Sequence, residues 1–216
     1  MSIDNDQQLV SIPADSINLE GILAIPQGAQ GIVIFVHGSG SSRHSPRNNF
    51  VAQVLRDAGL GTFLFDLLTK EEDLIYEKRF DIPLLTSRLK AVTEWIKEQP
   101  DTRKFNIGYF GASTGSAAAL MAADDLGEKI GAVVSRGGRP DLAEKSLHHV
   151  QSPTLLIIGG YDDVVIQLNQ QAYKLIKVEK RLSIVQGATH LFEEPGTLEE
   201  VARLASEWFK QYLLSH

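Results

Sequence analysis

From Gly31 onward the sequence alternates short apolar runs with longer amphipathic stretches, and nothing else in it constrains the fold as strongly. GIVIFVHG, GTFLFDL, KFNIGYFG, KIGAVVSR, TLLIIGG and RLSIVQ are short and rich in β-branched and aromatic residues. Near-continuous apolar runs of this kind suit strands buried on both faces of a parallel sheet. Between them lie FVAQVLRDAG, ended by Gly59; DIPLLTSRLKAVTEWIKEQ, stopped at Pro100; STGSAAALMAADDLG; a helical piece around DLAEKSLHH; a stretch near IQLNQQAYKLIK; and a closing helix from about Leu198 to Leu214. Strand alternating with helix predicts βαβ units, a mostly parallel sheet and helices on both faces, an α/β class fold. Two earlier β-type runs within Leu9 to Ile25, parted by Ala14-Asp15-Ser16, predict an antiparallel pair at a sheet edge. No repeat, low-complexity tract or linker divides the 216 residues, so one domain over 1–216 is expected.

Composition excludes several classes of function. A formal net charge of −6 leaves no basic excess with which to neutralise phosphates, so nucleic acid is not an expected partner. The chain has no cysteine, which removes disulfides, thiolate metal sites and a thiol nucleophile together. No apolar stretch is long enough to span a bilayer, and the opening MSIDNDQQLVSIPADS lacks a basic segment followed by an apolar run. A cytoplasmic location without membrane attachment is the resulting expectation.

In open α/β sheets, ligands sit beyond the carboxyl ends of the strands, and the residues with chemical potential fall there. Gly111-Ala112-Ser113-Thr114-Gly115 is a G-x-S-x-G with the strand KFNIGYF running into it and a helix leaving it. That setting is the nucleophile elbow, a tight turn that lifts a serine Oγ above the sheet. The helix starting there also directs unpaired N–H groups and the positive end of its dipole toward negative charge at the serine. In isolation the same string would serve as a serine N-cap.

A serine hydroxyl needs a base to remove its proton. Of six histidines, His37 and His44 lie in or just beyond HGSG, His148 and His149 end a short helix, and His216 is terminal. His190 alone follows the final strand, in VQGATHLFEEPG, downstream of the elbow and of an acid as the order Ser…Asp…His requires. The acid belongs in the loop after TLLIIGG, where Asp162 is the first choice and Asp163 the reserve. It would accept Nδ1–H of His190, fix the tautomer and stabilise the imidazolium. Asp124 and Asp125, at the end of the elbow helix, read as solvated. The developing oxyanion needs backbone donors. One is Thr114 N–H, and the second is placed in His37-Gly38-Ser39-Gly40, at Ser39 with Gly40 as the alternative. A dinucleotide loop is disfavoured because Arg43 stands where G-x-G-x-x-G needs its third glycine, so no cofactor and no metal is expected.

With HGSG, GASTG, GGYDDVV and GATHLF in this order at successive strand ends, the chain resembles the α/β-hydrolase superfamily, and within it the dienelactone-hydrolase-like branch. The resemblance covers nearly the whole chain and implies an α/β-hydrolase fold with a central sheet of about eight strands, and cofactor-free ester hydrolysis through an acyl-enzyme. It departs at one place: dienelactone hydrolases proper use a cysteine nucleophile, and here Ser113 stands instead. That argues against dienelactone itself as substrate.

The short stretch between Arg136 and Thr154 leaves no room for a helical cap domain, so an open site is expected. Arg43 and Arg47 lie in SSRHSPRN, and Arg136 and Arg139 in SRGGRPD. Arg43, Arg136 and Arg139 are candidates to hold a substrate carboxylate or phosphate; the competing role is salt bridging to neighbours such as Asp141 and Glu144. The expected partner is a small ester, for a monomer or a homodimer. A thioesterase or lactonase would use the same residues. A non-catalytic hydrolase-fold binding protein is the remaining alternative, although it would have no need of all three groups.

Overall fold

A computed structural model describes residues 7–214; residues 1–6, within the opening stretch read above, and 215–216, which include His216, lie outside the described part. The eight strands form one sheet in the order β1-β2-β4-β3-β5-β6-β7-β8. β1 (Gln7–Ala14) and β2 (Ile17–Ala24) are the antiparallel edge pair, with β2 also antiparallel to β4 (Gly61–Phe65). From β4 onward every pairing is parallel: β3 (Gly31–Val36), β5 (Asn106–Ala112), β6 (Ile130–Arg136), β7 (Thr154–Gly159) and β8 (Lys180–Val185). The α/β-hydrolase fold is thus in place, with no cap domain among the described residues.

Every residue of β3, β4 and β7 is buried, as their unbroken apolar runs demand. One face of the sheet packs on α3 (Ile82–Glu98), α4 (Gly115–Leu126) and α6 (Asp163–Leu175) through residues such as Ile34, Tyr109, Leu89 and Leu120. The other packs on α1 (Pro46–Asp57) and α7 (Thr197–Leu213) through Phe35, Phe110, Leu55, Phe209 and Leu213. Burying side chains of this size contributes about 1.5–3 kcal/mol each. Between them the two layers hold both faces of the sheet out of water.

Three helical regions differ from the sequence expectation. α1 begins at Pro46 rather than near Phe50, because Ser45 caps it, its hydroxyl accepting from Asn48 N–H, and proline occupies the first turn. Between β4 and α3 the chain also forms the single turn α2 (Lys70–Asp73), with a 3-10 turn at Tyr76–Phe80. α2 is held by a reciprocal capping box between Thr69 and Glu72. DLAEKSLHH becomes a 3-10 turn at Pro140–Ala143 followed by α5 (Glu144–Leu147).

Candidate active site

The strand ends build the site. Ser113 follows β5 with φ = 50°, a left-handed conformation that a non-glycine residue rarely adopts. Its backbone is fixed from the neighbouring strand: Ser113 N–H donates to Arg136 O (3.2 Å), and Ser113 O accepts from Arg139 N–H (3.1 Å). Strain held at one such residue by surrounding hydrogen bonds is the expected state of an elbow nucleophile. The β3 loop comes in from the other side. A Cβ built on Gly38 would lie 3.0 Å from Ser113 Cβ, so the loop passes directly beside the serine.

The acid and base loops leave β7 and β8 and are tied together by Tyr161 N–H donating to Ala188 O (2.9 Å). Within them, His190 Nδ1 and Asp162 Oδ2 are 2.6 Å apart, and Asp162 is the more enclosed partner. Asp163, the reserve acid, is exposed and opens α6. The His190 ring stands against Gly137, where a built Cβ would be 3.4 Å from Cε1 and 3.5 Å from Nδ1. Gly137 directly follows the Arg136 whose carbonyl holds Ser113 N–H. The sheet register, which pairs Ala112 with Arg136, therefore delivers serine and imidazole to one strand end. The Ser113 hydroxyl makes no hydrogen bond to the ring in this conformation; such contacts are often long in a free hydrolase and shorten when substrate binds. Glu194 braces the histidine loop by accepting from Thr189 N–H (3.1 Å) and Thr189 Oγ1 (2.7 Å). These bonds, the hydroxyl's first, lower the Glu194 pKa.

The remaining candidates separate clearly. Asp125 is ion-paired with Lys90 (2.6 Å). His37 is buried, with Nε2 accepting from Leu67 N–H (3.1 Å), so Nδ1 carries the hydrogen and donates to Gly38 O (2.9 Å). Burial above all lowers its pKa, and the ring is a neutral strut for the β3 loop. Thr114 N–H has no acceptor among the described residues, as an oxyanion donor requires. Ser39 differs from expectation: its N–H donates to Thr114 Oγ1 (3.0 Å), so it is not a free donor in this conformation, and Gly40 is left as the alternative. The signal missed in the sequence was the threonine side chain, which places an acceptor one residue past the nucleophile.

Two of the three candidate arginines are corrected. Arg43 is ion-paired to Asp66 and to Glu20 (2.6 Å), and its backbone N–H also donates to Asp66. Arg139 forms a two-pronged pair with Asp141, at 2.9 and 2.8 Å. Both guanidinium groups already hold protein carboxylates, which balance their charge within the protein. Arg136 has no such carboxylate among the described residues. Beside the β3 loop a cleft of about 390 Å³ opens between Ser41, Arg43, His44, Thr69 and Lys70.

Comparison with known proteins bears on the family and the fold. Residues 19–213 match the model of the dienelactone hydrolase family. A protein of Mycobacterium tuberculosis strain H37Rv, provisionally named a phosphoribosyl transferase, is 57% identical over 204 residues. That match takes in 94% of this chain and 46% of the relative, so the chain spans about half the length of the curated relatives it matches. A crystal structure of a dienelactone hydrolase from Anabaena variabilis is 56% identical with a TM-score of 0.93, covering 97% of this chain and all (100%) of that one. A lidless α/β serine hydrolase from Xanthomonas campestris, at 18% identity and TM-score 0.79 over 98% of this chain and 97% of its own, shares the fold.

Proposed function

Because the chain belongs to the dienelactone hydrolase family, we propose that it is a serine hydrolase cleaving a carboxylic ester-type bond of a small substrate through an acyl-enzyme. The observation that carries this is the 2.6 Å contact of Asp162 with the Nδ1 edge of His190. That contact sits on a ring packed one residue beyond the strand partner of the elbow. With Nδ1–H held by the carboxylate, Nε2 is the basic nitrogen left to act on the serine. Ser113 attacks the ester carbonyl as Nε2 takes its proton; Asp162 stabilises the imidazolium without accepting that proton. Thr114 N–H and a donor of the β3 loop receive the oxyanion. The imidazolium protonates the leaving alcohol, and water, deprotonated by the same ring, releases the acid. The provisional transferase name of the mycobacterial relatives belongs to proteins of which this chain spans 46%, and it does not displace the reading.

Turnover of p-nitrophenyl acetate or butyrate, with labelling by a fluorophosphonate, tests it. Labelling should vanish in Ser113→Ala and fall steeply in His190→Ala. Folded wild-type protein that neither turns over esters nor takes the label would instead be a binding protein on a hydrolase fold.

A further inference from the structure

Arg136 ends β6 directly beside the elbow, and it is the one candidate arginine whose charge the protein leaves unbalanced. It is only 7% exposed. Its Nη2 donates to the neutral Asn48 Oδ1 (3.2 Å), its buried Nε has no partner, and no carboxylate pairs with it among the described residues. A guanidinium carries five N–H donors, and Asn48 satisfies one of them.

Its surroundings make the imbalance worse. Asn48, a neutral side chain in the first turn of α1, supplies no charge to balance it. Arg47, in the same turn, has a buried Nε without a partner, and its single carboxylate, Glu193 (3.1 Å), is mostly exposed. Burial first, and Arg47 second, bring the Arg136 pKa down to about 10. The Phe192 ring lies 5.9 Å from its Cζ and contributes no full charge. Buried charges in proteins are paired, and an isolated one is strongly disfavoured. Two guanidinium groups against one exposed carboxylate make a site short of an anion.

We infer that Arg136 and Arg47 form a binding site for an oxyanion, a carboxylate or phosphate group, under the Phe192–Glu193 turn that follows His190. If the ester-hydrolase reading holds, on which this part rests, the anion belongs to the substrate and the site selects negatively charged esters. Binding itself does not depend on that reading.

The experiment is thermal unfolding of the whole chain in chloride, inorganic phosphate, acetate and glutarate at matched pH and ionic strength. Phosphate or a carboxylate should raise Tm saturably, by about 3–6 °C at ten times its dissociation constant, and the more effective anion identifies the group. Arg136→Met should abolish the shift while unfolding no lower than wild type in chloride, since it removes an unbalanced charge. Arg47→Gln, at a partly exposed position, should weaken the shift and serves if the first variant does not fold. Equal Tm in all four salts, or an undiminished shift in either folded variant, overturns the site. In wild type, phosphate should inhibit hydrolysis of mono-p-nitrophenyl glutarate and spare p-nitrophenyl butyrate; inhibition of both alike overturns substrate selection. If no ester is turned over, the ester reading fails while the unfolding series still decides the anion site.

Discussion

Gly115 crosses the end of β3 so closely that a Cβ built on it would lie 2.1 Å from Val36 O and 2.5 Å from His37 O. The obstacle is backbone, which cannot rotate away as a side chain can. The same contact sets α4 against the β3 loop, and so fixes the distance between Thr114 N–H and Gly38-Ser39. Gly115→Ala should therefore lower stability by about 1–3 kcal/mol or more. Activity should fall further than stability explains, because the donors around the serine are spread apart. Urea unfolding alongside esterase rates on the folded fraction checks both, and a variant as active as wild type per folded molecule would mean that this crossing does not set the donor geometry.

The two neighbouring acids supply a sharper contrast. Asp162 touches His190 Nδ1 at 2.6 Å, whereas Asp163 is exposed at the first turn of α6. Asp162→Asn keeps the shape but favours the wrong tautomer, and should reduce kcat by roughly 10³–10⁴-fold. Asp163→Asn should change it by less than about threefold, losing only a favourable charge at a helix N-terminus. Steady-state kinetics of the pair decides; a larger loss at Asp163 would reverse the roles.

Strand alternation, the edge hairpin and the elbow were readable because each is written in local pattern: β-branched runs, turn residues between two short strands, and glycines two positions either side of Ser113. The exchange of β3 and β4 in the sheet order was not, since neighbours in a parallel sheet are chosen by crossover connections and not by the strand's own residues. α2 is too short to show a helical period, although Thr69-Lys70-Glu71-Glu72 carries a capping-box pattern that would have disclosed it. Arginine roles were hidden for a different reason. Arg43, Arg136 and Arg139 look alike in sequence, and only the placement of Asp66, Glu20 and Asp141 separates two guanidinium groups paired with carboxylates from one that is not.

Thr114 joins the elbow to the β3 loop through its side chain, accepting Ser39 N–H at 3.0 Å while being itself buried. Valine has the same shape and no acceptor, so Thr114→Val loses the bond to the exposed Ser39 N–H and should cost about 0.5–1.5 kcal/mol. Serine restores the acceptor, and Thr114→Ser should recover most of that loss. Denaturant unfolding of the two variants distinguishes this link from simple packing, under which valine would be the milder change.

His37 couples the β3 loop to pH. Leu67 N–H points at its Nε2, so a proton added there would meet another donor, and burial already holds the folded pKa below the ordinary value. The unfolded chain takes up that proton near pH ~6.5, while the folded chain does so only at lower pH. Between the two values the unfolded state binds more protons, so folding free energy is undiminished above about 6.5 and declines as pH falls through that window. One such group contributes at most about 1.4 kcal/mol per pH unit. His37→Gln should flatten the decline in stability between pH 7.5 and 5.5 by a measurable part of that slope. Because Gly38 lies against Ser113, the wild-type loop should loosen over the same range, read as faster amide exchange at residues 38–40. Parallel pH slopes in wild type and variant would show that the imidazole takes its proton in the folded protein without cost.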